Sequence, residues 1–179
     1  MAMKPRSIVL LLILALVLSS ILLPPHPLVG TAINLAVKFK FPGVKQVSPA
    51  ELVEWWKSVP ERKPPILIDA RTPAEYRVSH IAEAVNMDMN SPDLTLLVNL
   101  RRTSPVLVYD AVGIRGAAMA EALRQQGFED VSNLAGGIFR WANEGRPLNS
   151  DHGPVQVVHP WEGLWTQLLK SRYRAQPGQ

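Results

Sequence analysis

The fold is decided by residues 105–116, which read Pro-Val-Leu-Val-Tyr-Asp-Ala-Val-Gly-Ile-Arg-Gly. Val106–Tyr109 predicts a buried strand, and a good helical stretch follows from Ala117 to Gln126. A strand that breaks into a short glycine-containing turn and opens a helix gathers several backbone N–H groups around one point. With the positive end of the helix, these donors form an anion cradle. We define the cradle as Asp110, Ala111, Val112, Gly113, Ile114 and Arg115.

Length and composition indicate one globular domain with an added hydrophobic segment. The chain has 179 residues, of which 47% are hydrophobic and 19% are charged. The net charge of +4 comes from scattered residues, without the basic runs or aromatic-basic interleaving of a nucleic-acid face, so no nucleic-acid binding is predicted. The chain contains no cysteine, which excludes disulfides, thiolate metal sites and a cysteine nucleophile.

The N-terminal segment predicts a membrane anchor. Residues 1–6 form a basic N-terminus with Lys4 and Arg6, and Ser7–Leu23 is an uncharged apolar run, which as a helix spans about 26 Å. We favour an uncleaved single-pass transmembrane helix, or signal anchor, over a cleaved signal peptide that would release a secreted domain. The basic N-terminus favours export of the globular domain to the periplasmic or extracytoplasmic side, and lysines beyond the apolar run weaken that bias.

Residues 24–43 form a linker or juxtamembrane segment. Pro24–Pro27 is a stiff proline-rich spacer, and the apolar segment Leu28–Phe41 follows it. Two interpretations stay open for that segment: a short helix lying on lipid, or a segment packed on the domain.

The globular domain is predicted over residues 44–149. Residues 48–51 (Ser-Pro-Ala-Glu) and 72–75 (Thr-Pro-Ala-Glu) share a specific helix-start signature, with a capping hydroxyl, proline at the first helical position and glutamate at the third. Further helices are predicted from Ser91 to about Asn99 and from Gly137 to Gly145. Strands that alternate with helices predict a parallel sheet covered on both faces, and they are Val44–Val47, Ile66–Asp69, Ala84–Met87, Val106–Tyr109 and Val131–Leu134.

The tail, residues 150–179, contains apolar residues at the spacing of an amphipathic helix near 160–170. We favour a helix that packs its aromatic face on the domain over one that binds a membrane or a partner. The residues at this spacing are Trp161, Leu164, Trp165, Leu168 and Leu169.

Three segments resemble the signatures of the rhodanese (sulfurtransferase) family. They are residues 66–81, the loop 109–115, and a closing segment from Gly127 to Trp141. The resemblance covers about residues 44–148 in the family order, and it implies a three-layer α/β domain with a parallel five-stranded sheet and helices on both faces. It also implies structural roles for the signature residues Asp69, Arg71, Glu75, His80, Gly136, Gly137 and Trp141.

The resemblance also shows where the chain departs from its family. The family carries a persulfide on a loop cysteine, and the resemblance places that cysteine at Asp110. Gly116 stands where a small hydroxyl residue commonly follows the arginine. A carboxylate cannot hold a persulfide, so we predict an inactive sulfurtransferase, or pseudoenzyme, with no catalytic residue, cofactor or metal. Asp110 either fills the cradle as a built-in anion or points to solvent and leaves the cradle empty.

Three functions follow from this interpretation. We favour a membrane-anchored module that binds a protein partner, or a small anion if the cradle is empty. An alternative is an enzyme of unrecognised, phosphatase-like activity that uses Asp110 and Arg115, although the short loop and the lack of a Mg²⁺-binding set of acids oppose it. A third is a passive scaffold in a membrane complex. The histidines are too dispersed to predict a metal site.

Overall fold

The computed structural model describes residues 27–58, 61, 63–93, 95–98, 100–161 and 163–176. The helices are α1 (Pro27–Lys40), α2 (Pro49–Lys57), α3 (Pro73–Val78), α4 (Thr95–Val98), α5 (Ile114–Gln125) and α6 (Gly137–Asn143). The strands are β1 (Lys45–Val47), β2 (Ile66–Asp69), β3 (Val85–Asn86), β4 (Val106–Tyr109), β5 (Val131–Leu134), β6 (Leu148–Ser150) and β7 (Gly153–Val155). Two 3-10 helices follow, Gly163–Leu168 and Ser171–Tyr173.

The first five strands form one sheet in the order β1-β5-β4-β2-β3. All of its pairs are parallel, which confirms the predicted sheet. Parallel strands bring their carboxyl ends to one edge, and β4 lies at the centre with β2 beside it. Asp69 and Asp110 therefore lie at the same edge of the sheet, at the ends of neighbouring strands.

Alternate strand residues pack into two separate cores, which places helices on both faces of the sheet. On one face Leu67, Leu107 and Leu134 contact side chains of α2 and α6. On the other face Ile68 and Val108 contact side chains of α5. The three-layer arrangement is thus confirmed for the described part of the chain.

Both helix starts that the sequence signature predicts are capping boxes. Ser48 Oγ accepts the Glu51 N–H at 3.3 Å, and the Glu51 carboxylate accepts the Ser48 N–H at 2.7 Å. Thr72 and Glu75 form the same reciprocal pair at the start of α3. These bonds satisfy backbone donors that a helix start leaves unpaired, so the two helices begin where the sequence predicts.

Helix α1 packs on the domain. Val29, Ile33 and Val37 are spaced by four residues on its inner face, are buried, and contact Ala117 of α5. Within the described ranges, no helix combines the length and apolarity needed to cross a bilayer. The predicted anchor Ser7–Leu23 lies outside the described residues.

Several elements differ from the prediction. Helix α5 begins at Ile114 rather than Ala117, because the chain turns into the helix directly after the left-handed Gly113. The tail forms a 3-10 helix over Gly163–Leu168 instead of a regular amphipathic helix, and the positive φ of 70° at Gly163 interrupts the backbone there. The hairpin β6–β7 was not predicted and extends the domain beyond residue 149.

Candidate functional site: the cradle after β4

Asp110 follows β4 directly, and its side chain is completely buried. Its Oδ1 accepts the N–H of Gly113 at 2.6 Å, and its Oδ2 lies 3.5 Å from Nε of Arg115. The backbone N–H groups of Arg115 and Gly116 also favour the charged form of this carboxyl group. The carboxyl group therefore lies inside the cradle, at the start of α5, and does not point to solvent.

The electrostatic environment of Asp110 combines two opposed effects. Burial raises the pKa of Asp110 above its ordinary value, outweighing the Arg115 charge and the backbone N–H groups, which favour the charged form. Its neighbours in the cradle include the Gly113 N–H and the Arg115 guanidinium, hydrogen-bond donors that suit a carboxylate. Asp110 thus occupies the cradle at an electrostatic cost that a pH-dependent measurement can detect.

Replacing Asp110 with alanine is expected to lower the free energy of unfolding by about 1–3 kcal/mol, because the buried N–H of Gly113 loses its acceptor. The raised folded pKa makes the contribution of Asp110 largest below 3.8, the ordinary value, and this contribution declines as pH rises through the folded pKa. Urea unfolding of the wild type and Asp110→Ala at a series of pH values should show the difference shrinking as pH increases.

The control for this experiment is Asp93, an exposed carboxylate that accepts the Thr95 N–H at 3.0 Å. Hydrogen bonds from Thr95 lower the pKa of Asp93, so the effect of Asp93→Ala should grow as pH rises through that lowered pKa and be fully present above the ordinary value. An Asp110→Ala difference that also grows with pH would contradict the sign argued for the buried group.

Arg115 is held by a second carboxylate. Its two terminal nitrogens donate to the two oxygens of Glu75, at 3.1 Å and 2.8 Å. One of these oxygens also accepts the N–H of Thr72 in the capping box of α3. Burial by itself raises the pKa of Glu75, but the bonds from Arg115 and Thr72 outweigh it and lower the pKa. The helix cap and the cradle arginine therefore share one carboxylate.

The tail closes over the same arginine. The Arg115 guanidinium carbon lies 4.6 Å from the centroid of the Trp161 ring, a cation–π contact. Trp161 stacks on Trp165 at 5.2 Å, and Trp165 packs against the cluster formed by α1 and α5. The Arg115 side chain keeps only 17% of its surface exposed. Its charge and its flat face are thus both engaged by the protein itself.

Asp69 and Arg71 form a buried ion pair beside the cradle. Arg71 Nε and one terminal nitrogen donate to the Asp69 carboxylate at 2.9 Å and 2.7 Å, and both side chains are 0% exposed. Burial alone lowers the pKa of Arg71, but the charge and hydrogen bonds of Asp69 outweigh it and raise the pKa. Arg71 also donates to the carbonyl of Ser79, so the pair ties the end of β2 to the end of α3.

The glycines of the third signature let α6 approach the cradle closely. A Cβ at Gly137 would overlap the carbonyl oxygen of Asp110, and Gly137 has a φ of 57°. The N–H groups of Ile138 and Phe139 donate to the carbonyls of Asp110 and Ala111, at 2.9 Å and 3.0 Å. The start of α6 therefore holds the cradle backbone in place through these two hydrogen bonds.

The other signature residues have structural contacts. Trp141 is buried and donates through Nε1 to the carbonyl of Pro147 at 2.8 Å. The His80 ring stacks on Tyr76 with centroids 4.0 Å apart, and the His80 backbone pairs with Asn149 of the hairpin. In the part of the chain that the structure describes, no three His, Asp or Glu side chains gather where they could hold a metal ion.

Sequence reasoning missed Asn133 as a support of the cradle. This buried amide donates through Nδ2 to the carbonyl of Gly113 at 3.0 Å and to Gln46 at 2.8 Å. A Cβ at Gly116 would lie 2.5 Å from Asn133 Oδ1 and 3.1 Å from the backbone of Tyr109. Asn133 and Tyr109 thus leave no room for a side chain at position 116. The available signal in the sequence was a polar residue, Asn133, within the predicted buried strand β5.

Replacing Gly116 with serine, the residue type of the family pattern, is expected to lower the free energy of unfolding by about 1–3 kcal/mol, because overpacking displaces Asn133 or Tyr109. The matched control is Gly30→Ser in α1, where an added Cβ meets nothing within 4 Å. Thermal unfolding monitored by circular dichroism measures both variants. Equal effects at the two glycines would contradict the packing argument.

The fold and the site define a class: a parallel α/β domain with an anion-cradling loop after its central strand. The family model for the Rhodanese-like domain matches residues 52–144, more than half of the chain, and the chain belongs to this family. Asp110 stands at the position of the family's catalytic cysteine.

Curated relatives agree with this assignment. The sulfurtransferase of Allochromatium vinosum is 33% identical over 88 residues, which cover 49% of this chain and 81% of that protein. The thiosulfate sulfurtransferase GlpE of Coxiella burnetii is 33% identical over 97 residues, covering 54% and 86%. In the longer tRNA uridine(34) hydroxylase of Cytophaga hutchinsonii, 31% identical, the match covers 56% of this chain and only 32% of the relative.

Solved structures show the same fold. The rhodanese-like domain of the Alr3790 protein from Anabaena sp. superposes with a TM-score of 0.53 at 25% identity, and the match covers 59% of this chain and 78% of that one.

Proposed function

We propose that this protein is a rhodanese-like pseudoenzyme that acts as a binding module for a protein partner and is held at a membrane by Ser7–Leu23. One observation carries the proposal: the carboxyl group of Asp110 fills the cradle at the position of the family's sulfur-carrying cysteine. Sulfur transfer needs a thiolate that forms and breaks a sulfur–sulfur bond, and the chain has no cysteine. The domain retains its fold and the contacts that support the cradle. A binding protein needs such a stable surface, whereas it does not need the cysteine.

A protein partner is favoured over a small anion because the Gly113 N–H and the terminal nitrogens of Arg115 already have acceptors within the protein. Gly113 donates to Asp110, and Arg115 donates to Glu75. An incoming anion would meet two carboxyl groups at this point, and like charges repel. A phosphatase-like reaction is disfavoured for a related reason, since a nucleophilic carboxylate needs an exposed oxygen and Asp110 is completely buried.

An assay with thiosulfate and cyanide tests the loss of sulfur transfer. The full chain is expected to give no turnover above the buffer rate, and turnover by the wild type would overturn the proposal. Asp110→Cys combined with Trp161→Ala is expected to exceed Asp110→Cys alone, because the single variant leaves the tail ring over Arg115. Circular dichroism of each variant verifies that the domain remains folded.

Cross-linking of the full chain in native membranes tests the binding role. Discrete adducts with a partner are expected for the wild type and for Gly30→Ser. They should be weakened by Asp69→Ala, which breaks a buried ion pair and destabilises the domain. Absence of any discrete adduct with the folded wild type would contradict the binding role.

A further inference from the structure

Helix α1 carries a second apolar stripe that the domain does not cover. Its inner stripe, Val29, Ile33 and Val37, packs on α5, whereas Leu35 and Phe39 are 54% and 65% exposed. Residues four apart lie on the same face of a helix, so these two side chains form a ridge on the opposite side from the packed stripe. A ridge of this kind on a helix that already has a buried face needs a separate explanation.

The charge distribution points to an anionic surface. The first acidic residue of the chain is Glu51, so the first fifty residues carry positive charge only. Lys38 and Lys40 are exposed in the last turn of α1 and adjoin Phe39 in the sequence. A basic helix with an exposed apolar ridge matches the chemistry of an interface rich in anionic lipid headgroups.

Chain length places α1 near such an interface. Only three residues, 24–26, separate the end of the apolar run at Leu23 from the start of α1 at Pro27. Even fully extended, this connection spans about 14 Å. The polar layer on each side of the hydrocarbon core is roughly 5–7 Å thick. If Ser7–Leu23 spans the bilayer, α1 must begin within or just outside that layer.

We propose that α1 lies along the membrane surface, with Leu35 and Phe39 in the lipid interface and Lys38 and Lys40 at anionic headgroups, while its inner stripe holds the domain. The helix thereby fixes the orientation of the domain on the bilayer. This inference rests on the membrane anchor of the proposed function and adds the lipid surface as a second partner.

The absence of cysteine allows a direct test, since a cysteine introduced by substitution is the sole thiol. The full chain carrying Leu35→Cys is labelled with an environment-sensitive fluorophore and reconstituted into vesicles of phosphatidylglycerol and phosphatidylcholine. The matched control is Asp151→Cys at the exposed hairpin turn. We expect blue-shifted emission and quenching by doxyl lipids at position 35, and neither at position 151.

Two further variants separate the contribution of the apolar ridge from that of the lysine charges. Phe39→Ser should weaken the quenching at position 35 by shortening the apolar ridge. Lys38→Gln with Lys40→Gln should weaken it in vesicles that contain phosphatidylglycerol, and not in vesicles of phosphatidylcholine alone.

The outcomes separate a failure of this inference from a failure of the proposed membrane anchor. If alkaline carbonate strips the full chain from the vesicles, the proposed anchor is wrong and this inference is overturned with it. If the chain stays in the vesicles and the label at position 35 remains as accessible as that at 151, only the inference is overturned. A blue shift without lipid quenching would show a protein contact, such as a second copy, and would also overturn it.

Discussion

Replacing Asp69 with alanine is expected to lower the free energy of unfolding by about 3–5 kcal/mol, because it leaves the Arg71 guanidinium buried without its carboxylate. Both side chains are 0% exposed, and Asp69 accepts hydrogen bonds from Arg71 through both oxygens. Urea unfolding of the purified protein measures this loss.

Two variants verify that the cause is an unpaired buried charge. Glu54→Ala breaks an exposed ion pair with Lys57, whose side chains are 69% and 66% exposed, and it should cost under about 1 kcal/mol. Asp69→Ala combined with Arg71→Met removes both charges, so it should be more stable than Asp69→Ala alone. If the double variant is no more stable than the single one, the loss arises from packing and not from charge.

Replacing Gly137 with alanine is expected to cost about 3–5 kcal/mol, through left-handed strain together with steric overlap. Gly137 has a φ of 57°, and an added Cβ would overlap the carbonyl oxygen of Asp110 and lie 2.6 Å from the carbonyl carbon of Ala111. The atoms it meets are backbone atoms of the cradle, which cannot move aside as a flexible side chain can. Hydrogen exchange of the Ile138 amide should accelerate because α6 is pushed from the cradle.

Gly127 provides the matched control for this substitution. It also has a positive φ, of 90°, but an added Cβ there meets nothing within 4 Å. Gly127→Ala should therefore show only the strain of the left-handed backbone, roughly 1–2 kcal/mol. Equal losses at Gly127 and Gly137 would mean that steric overlap between α6 and the cradle adds nothing to the loss of stability.

Local sequence signals predicted the framework well because their physical causes are local. The capping boxes at Ser48 and Thr72 depend on residues three apart, and both helices begin where expected. The central strands β2, β4 and β5 match their predicted limits, since each is a short buried segment bounded by turn residues. Prediction was weaker for α4, which was expected from Ser91 to about Asn99 and spans Thr95–Val98 in the described residues.

The site could be predicted only in part. The cradle, its arginine and the missing cysteine follow from the residues of one loop. The pairing of Arg115 with Glu75 joins positions 40 residues apart, and the contact with Trp161 joins the loop to the tail. Asn133 supports Gly113 across the sheet, and nothing within its own strand shows that relation. Such contacts depend on strand order and helix placement, which short-range patterns do not encode.

The residues of one loop thus sufficed to show that this chain cannot carry sulfur, because the reactive atom is a property of a single position. Whether Asp110 fills the cradle or faces solvent was undecided at that level, since both arrangements suit the same residues. Folding settled it, because the carboxyl group is buried against the Gly113 N–H and Arg115. Glu75 and Trp161 of the tail hold Arg115 in that position. The loss of sulfur chemistry is set by the residue at position 110 alone. The burial of that residue is set by packing that involves segments far along the chain.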